Sequence, residues 1–303
     1  MTKKASKTRS PRHRVEQYPR AFAAQRQEPP GIESELEPRP QFQAPAYRPA
    51  DKLRDRRALV TGGDSGIGRA VALLFAREGA DVAIVYLPEE ETDAAETQRA
   101  IEEAGRRCVR IPGDVSDPAF CREAVTRAVD ELGGLDIVVN NAAMQQSTDR
   151  LEDIPDERWD ATFRTNIYAY FWITKAALPH LRPGSAIINT GSVTGLTGHK
   201  GLLDYSATKG AIHTLTKSLA QNLVDRGIRV NCVAPGPVWT PLNPSDRGRS
   251  KEEVATFGQD QPMGRAAQPE ELAPAYVFLA SVADSSYLTG EVLSELGGET
   301  TAG

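Results

Sequence analysis

The chain predicts a doubly wound α/β domain, a parallel sheet with helices on both faces, and three observations carry that prediction. Short Val/Ile-rich runs alternate along the chain with longer segments whose apolar residues recur at helical spacing. The apolar runs are nearly continuous, the pattern of strands covered on both faces. A glycine-rich turn, "TGGDSGIG", joins the first such run to the first helical segment. Helices crossing over between parallel strands complete a Rossmann-like arrangement.

The elements follow in order. "RRALVTGG" reads as the first strand and "GIGRAVALLFAREGA" as the first helix. Next come "DVAIVY" (strand), "EETDAAETQRAIEEAG" (helix), "RCVRIPGDV" (strand), "DPAFCREAVTRAVDELG" (helix) and "LDIVVNNAA" (strand). A long helix is expected over roughly 156–181, then the strand "SAIINTGS", a helix over about 203–226 and the strand "IRVNCVAPG". A loop-rich segment at 237–268, a helix at 269–282 and a strand near 291–294 close the series. Residues 51–303 thus form one expected domain, with 241–268 as the lid over the substrate, where loops beyond the strands' carboxyl ends commonly act.

Composition excludes several classes. Of 303 residues, 40% are hydrophobic and 25% charged, which is ordinary for a soluble globular chain. The net charge of −5 gives no overall basic field for nucleic acid and disfavours an anionic membrane. The apolar runs are strand-sized, so no bilayer span is expected. Cys108, Cys121 and Cys232 have no CxxC spacing, so they read as small buried hydrophobes in a reducing, cytoplasmic setting, with neither a disulfide framework nor a metal site. Residues 1–50 differ: ten Lys or Arg, five Glu and eight Pro cannot bury enough surface to fold alone. Ile32, Leu36, Phe42 and Tyr47, scattered through this stretch, suggest an extended arm laid on a surface, a neighbouring subunit's for example; a disordered tail is the alternative. The basic first 27 residues leave nucleic-acid binding as a reading with only that charge run behind it.

The glycine turn has a physical reading of its own. Gly62 permits the tight turn, Gly66 lets backbone amides approach a pyrophosphate, and Gly68 allows the helix to pack closely on the strand. The helix N-terminus adds free N–H groups and partial positive charge. Further on, "YSATKGA" puts Tyr205 and Lys209 four residues apart on one helix face. Such a pair is either a solvated surface feature or a proton-transfer device.

Five motifs in order decide between these. The chain resembles the short-chain dehydrogenase/reductase family over about residues 54–298, through "TGGDSGIG", "NNAA", Ser192 thirteen residues before the tyrosine, "YSATK" and "APGPVWT". The proline-rich extension, "GGDSGIG" and "VAPGPVWTP" together resemble a bacterial subgroup with an N-terminal extension, whose members are often labelled general stress proteins or glucose dehydrogenase-like oxidoreductases. The resemblance implies Ser192, Tyr205, Lys209 and Asn166 as catalytic residues, with Ser192 and Tyr205 touching substrate and Asn166 steadying a water relay behind the lysine. It implies dinucleotide contacts at Gly62, Asp64, Ser65, Gly66, Ile67 and Gly68, at Tyr86 and Leu87, at Asp114 and Val115, at Asn141 and Ala142, and at Pro235, Gly236, Val238 and Thr240. It also implies a homotetramer. Two departures stand out: Ala143 replaces the family's usual glycine, and Glu295 sits where the last strand is usually apolar.

Moving a hydride to or from a secondary alcohol also requires moving the hydroxyl proton. Free tyrosine is a weak base at neutrality, so Lys209 and a positive nicotinamide ring are expected to pull Tyr205 down. His199 is the fallback acid. The end of the second strand carries Tyr86 and Leu87, neither the acidic signature of NAD nor the arginine of NADP. Asp64 would repel a 2′-phosphate, so NAD is expected over NADP. The function expected is an NAD(P)-dependent oxidoreductase acting on a small alcohol, carbonyl or sugar; the alternative is a dinucleotide-binding scaffold or redox-responsive regulator without turnover.

Overall fold

The computed structural model describes residues 18–301; residues 1–17, which hold much of the basic segment, lie outside them. Seven strands form one parallel sheet in the order β3-β2-β1-β4-β5-β6-β7. They are β1 (Arg57–Thr61), β2 (Asp81–Tyr86), β3 (Cys108–Pro112), β4 (Ile137–Asn140), β5 (Ala186–Thr190), β6 (Arg229–Pro235) and β7 (Val292–Glu295). The order reverses between β1 and β4, and that switch point opens a crevice at the strands' carboxyl ends. Every strand residue of β4, β5 and β6 is buried, which is why their sequences lack alternation.

Successive side chains still take opposite faces. Val60, Ile84 and Ile188 join one apolar cluster with α1 (Gly66–Arg77) and α9 (Pro269–Ala280). Leu59, Ala83, Val85 and Ile187 join another, whose helical share includes Val125 of α3 (Pro118–Leu132), Ile173 of α5 (Ala169–Ala177) and Leu223 of α7 (Leu203–Leu223). Local signals set the ends: Asp117 caps α3 by accepting from the Ala119 N–H at 2.8 Å, Pro118 takes its first turn, and Gly133 closes it in the left-handed conformation. The second helix, α2, spans Glu91–Glu103.

The elements differ from the sequence expectation in several places. The long helix is α4 (Asp156–Phe163), a π turn (Arg164–Tyr168) and α5, ending at Ala177 rather than near 181. Inside the π turn, Asn166 Nδ2 donates to the Met144 carbonyl and the Thr208 hydroxyl, and its Oδ1 accepts from the Met144 N–H. Periodicity cannot distinguish one widened turn from a continuous helix. A four-residue helix, α6 (Thr194–Thr197), precedes α7, which closes in a 3-10 turn at Val224–Arg226. The 237–268 segment holds α8 (Lys251–Ala255), started by a Ser250/Glu253 capping box. After α9, Ser281 starts the short α10 (Val282–Ser285).

Residues 18–50 run along their own domain, with one 3-10 turn at Glu33–Glu35. Phe22 stacks on Trp239 with ring centroids 3.8 Å apart, and the Trp239 indole N–H donates to the Pro38 carbonyl at 2.8 Å. Leu36 and Phe42 are buried, Ile32 and Tyr47 half-buried. The neighbouring subunit suggested as the arm's surface is not needed for these contacts. Cys108, Cys121 and Cys232 are free and buried, each thiol pushed up to about 12 by burial. Among the described residues no helix is long and apolar enough to cross a membrane.

Candidate active site

A cleft of about 1410 Å³ lies along the carboxyl ends of the strands. Every residue singled out for it in the sequence lines it, except Gly68 and Asn166. Gly68 packs behind the loop instead: a Cβ there would lie 1.8 Å from the Gly62 carbonyl oxygen. Asn166 is buried beneath Met144 and Thr208, one residue before Lys209.

The glycine turn forms one end. Gly62 and Gly66 have φ of +60° and +50°, the left-handed region that suits glycine. A Cβ on Gly66 would meet Thr240 Cγ2 at 2.9 Å, so glycine keeps the cleft open there. The Asn141 side chain donates to the Thr61 and Gly62 carbonyls, both at 3.1 Å, tying the end of β4 to the turn. Asp64 is buried, and its Oδ2 has no hydrogen-bond partner within the protein. Burial pushes its carboxyl up to about 6. Glu90 faces the same region, pushed up to about 8 by burial first and the Asp64 charge second. Sequence reasoning missed Glu90, because "LPEEE" reads as an ordinary acidic helix start.

The middle of the cleft holds Ser192, Tyr205 and Lys209. Lys209 Nζ donates to the Thr190 carbonyl at 2.8 Å and stands 5.3 Å from the Tyr205 ring centroid. Burial pushes Lys209 down to about 8. It pushes Tyr205 up to about 12, opposed only by a hydrogen bond with Ser192. The sequence argument expected a lysine-lowered tyrosine. In the structure desolvation of the phenolate dominates, and the protein on its own keeps Tyr205 protonated; the pull of a bound positive nicotinamide ring is a separate contribution.

Ser192 is held from both sides. Its Oγ accepts from the Thr194 N–H at 3.2 Å and the Thr194 hydroxyl at 3.1 Å, while its own N–H donates to His213 Nε2 at 3.4 Å. Burial, with Lys209 nearby, pushes His213 down to about 4, so it stays neutral and able to accept. His213 also escaped sequence reasoning; its place four residues after Lys209 on one helix face was the available signal. His199 lies exposed at the cleft wall, its Nδ1 accepting from the Gly201 N–H at 3.2 Å, and is pushed below its usual value by burial, Arg249 and Lys200.

Ala143 keeps an ordinary negative φ, so the missing glycine strains nothing. Glu295 pairs with Pro235 in the sheet, and its carbonyl accepts from the Gly236 N–H at 2.9 Å. Its carboxyl is pushed up to about 7 by burial, with Glu271 adding to it. The segment expected as a lid is fastened across the cleft: buried Asp246 accepts from the Ser147 N–H and hydroxyl, both at 2.7 Å, and from Gln145 Nε2 at 3.1 Å.

The chain matches, over residues 62–300, a family model described as enoyl-(acyl carrier protein) reductase. It is 53% identical over 282 residues to General stress protein 39 of Bacillus subtilis, covering 93% of this chain and 97% of that one. It is 48% identical over 274 residues to the chloroplastic NADPH-dependent aldehyde reductase 1 of Arabidopsis thaliana, covering 89% of this chain and 94% of that one. Among solved structures, a short-chain dehydrogenase from Burkholderia cenocepacia in complex with NADP superposes with a TM-score of 0.75 at 35% identity, covering 82% of this chain and 98% of that one.

Proposed function

The chain belongs to the short-chain dehydrogenase/reductase family, and from that premise we propose that it moves a hydride between nicotinamide and a small alcohol, carbonyl or sugar, with Tyr205 handling the proton. A nicotinamide dinucleotide, when bound, supplies or takes the hydride. The residues present suit such a group. Gly66 leaves the room a side chain would take from the cleft, and the orphaned Asp64 Oδ2 needs a donor such as a ribose hydroxyl.

One observation carries the reading: Ser192, Tyr205 and Lys209 meet in one cleft, each at least nine-tenths buried (7%, 8% and 1% exposed). Ser192, held between Thr194 and His213, orients the substrate oxygen. Tyr205, proton-loaded by its burial, donates to a carbonyl oxygen in reduction and accepts in the reverse direction. Lys209, pinned to the Thr190 carbonyl, sets a cation beside the phenol and bonds the nicotinamide ribose. Asn166 ties the Thr208 hydroxyl of that helix to the Met144 backbone from behind, where a water relay would run.

The carboxylates at the other end favour NAD. Buried Asp64 and half-buried Glu90 both line the end of the cleft by the glycine turn, where a 2′-phosphate would add negative charge to an acidic pair. The NADP in the Burkholderia structure weighs the other way; the NAD reading rests on Asp64 and Glu90 of this chain. A cytoplasmic homotetramer is part of the same proposal, supported by Trp159, Tyr168 and Phe171, large apolar side chains exposed along α4, the π turn and α5. The experiment is a panel of aldehydes, ketones, polyols and sugars followed by reduced-nicotinamide absorbance with NADH and NADPH. Turnover lost in Tyr205→Phe is the expected result; full activity in that variant rejects it.

A further inference from the structure

The arm reaches the glycine turn from behind. Glu33, in its single 3-10 turn, is fully buried, and its Oε2 accepts from the Gly66 N–H at 2.6 Å. Its Oε1 lies 2.8 Å from Arg69 Nη1, and that guanidinium is itself fully buried on α1. Arg69 passes the contact on: its Nε donates to the Asp64 carbonyl at 2.7 Å and its Nη2 to the Asp93 carbonyl at 3.0 Å. Asp93 in turn anchors the arm, accepting from the backbone N–H of Glu33 at 2.5 Å and of Ser34 at 3.1 Å. Just upstream, Pro29 and Pro30 line the cleft itself.

We propose that the arm is a working part of the dinucleotide site, with Glu33 as a positioning residue that holds the glycine turn in its binding shape. This rests on the dinucleotide-binding reading above. An isolated glycine turn has many backbone states to lose on binding a ligand. Glu33 removes that freedom in advance by fixing the Gly66 amide and, through Arg69, the Asp64 carbonyl; preorganisation of this kind is read as affinity. The contact lies behind the loop, on residues that do not line the cleft (neither Glu33 nor Arg69 does), so it shapes the site without touching its occupant.

The test compares full-length variants by NADH fluorescence titration and thermal melting. Glu33→Gln keeps the shape but weakens the hold on Arg69, and about tenfold weaker NADH binding is expected, equivalent to about 1.4 kcal/mol. Phe22→Ala is the control for a purely structural arm: it loses the stacking on Trp239, so it should melt lower, yet bind NADH within about twofold of wild type. In steady state the Glu33→Gln defect should appear in KM for the dinucleotide and not in KM for the carbonyl substrate. NADH binding in Glu33→Gln that is unchanged or tighter overturns the proposal, as does an equal loss in Phe22→Ala. Should Glu33→Gln fail to fold, Asp93→Asn, which loosens the hold on the Glu33 and Ser34 amides, must weaken NADH binding too, and an unchanged affinity there is equally fatal. A wild-type protein that binds neither NADH nor NADPH would instead reject the dinucleotide reading.

Discussion

The two ends of the cleft are buried alike but charged differently. Around Tyr205 the ionisable groups are a phenol, an amine and an imidazole, whereas near Asp64 they are mostly carboxylates: Glu90 at the cleft, and behind it Glu33, Asp93 and Glu96 on the Arg69 guanidinium. Loss of water penalises every charged form, so it drives the two sets in opposite chemical directions. It leaves Tyr205 holding a proton at about 12 while easing Lys209 towards neutrality at about 8. At the other end it raises carboxylates towards neutral pH. One end is built to deliver a proton and the other to weigh negative charge, and the same desolvation does both.

The sharpest way to break that contrast is Tyr205→Phe. General acid assistance contributes about 10²–10⁴-fold, so a loss at least that large in kcat is expected, with NADH affinity nearly unchanged. A variant that keeps most of its rate would hand the proton to another group, His199 first. At the other end, Asp64→Asn removes the charge that meets a 2′-phosphate. The NADPH-to-NADH affinity ratio should rise by about tenfold, a shift of about 1.4 kcal/mol, measured by paired titrations. A ratio that does not move would remove Asp64 from cofactor selection.

His213→Leu probes the support behind Ser192. Loss of one neutral hydrogen bond is worth about 1 kcal/mol, so kcat should drop about fivefold while dinucleotide affinity holds. The smallest effect is the pH response. Asp64 is ionised above about 6 and neutral below it, so lowering the pH from 7.5 to about 5.5 should relieve repulsion and improve NADPH binding relative to NADH by a few-fold. The 2′-phosphate also gains a proton near pH 6. Asp64→Asn should therefore keep only part of that response, and an identical pH curve in the variant would assign it all to the ligand.

The same contrast explains what could be read in advance. Tyr205 and Lys209 sit one helical turn apart, and Ser192 stands two residues past the end of β5 at a fixed spacing before them, so a linear motif carries their geometry. Alternating apolar runs likewise carried the sheet. Glu90 and Glu33 reach the turn from elements 26 and 33 residues away from Asp64 and Gly66, and nothing in the local pattern marks them. The burial of Tyr205 was out of reach for a related reason: the sequence shows the neighbouring lysine but not how completely the pair is removed from water. The interrupted helix escaped because its inward residues, Thr162, Asn166, Ala169, Ile173 and Ala177, still recur at intervals of three and four in the sequence.

That π turn works as a phase shifter. Each residue advances an α-helix by about 100°, so one extra residue held in a widened turn re-indexes everything downstream. Upstream, Thr162 turns inward to the Asp204 carboxylate, which accepts its hydroxyl at 2.9 Å. Downstream, Ile173 and Ala177 turn inward to the apolar core while Phe171 stays outside. With the same residues, an uninterrupted helix would turn the downstream segment by about 100° relative to the upstream one, so the widened turn sets the angle between Thr162 and Ile173. Deleting Thr165 would remove the widened turn together with its extra residue, so the downstream segment would keep its angle. Ile173 would stay in the core, and the loss would fall on Asn166 and its grip on Met144 and Thr208. A single codon thus separates this helix from one that could serve the core but not the cleft.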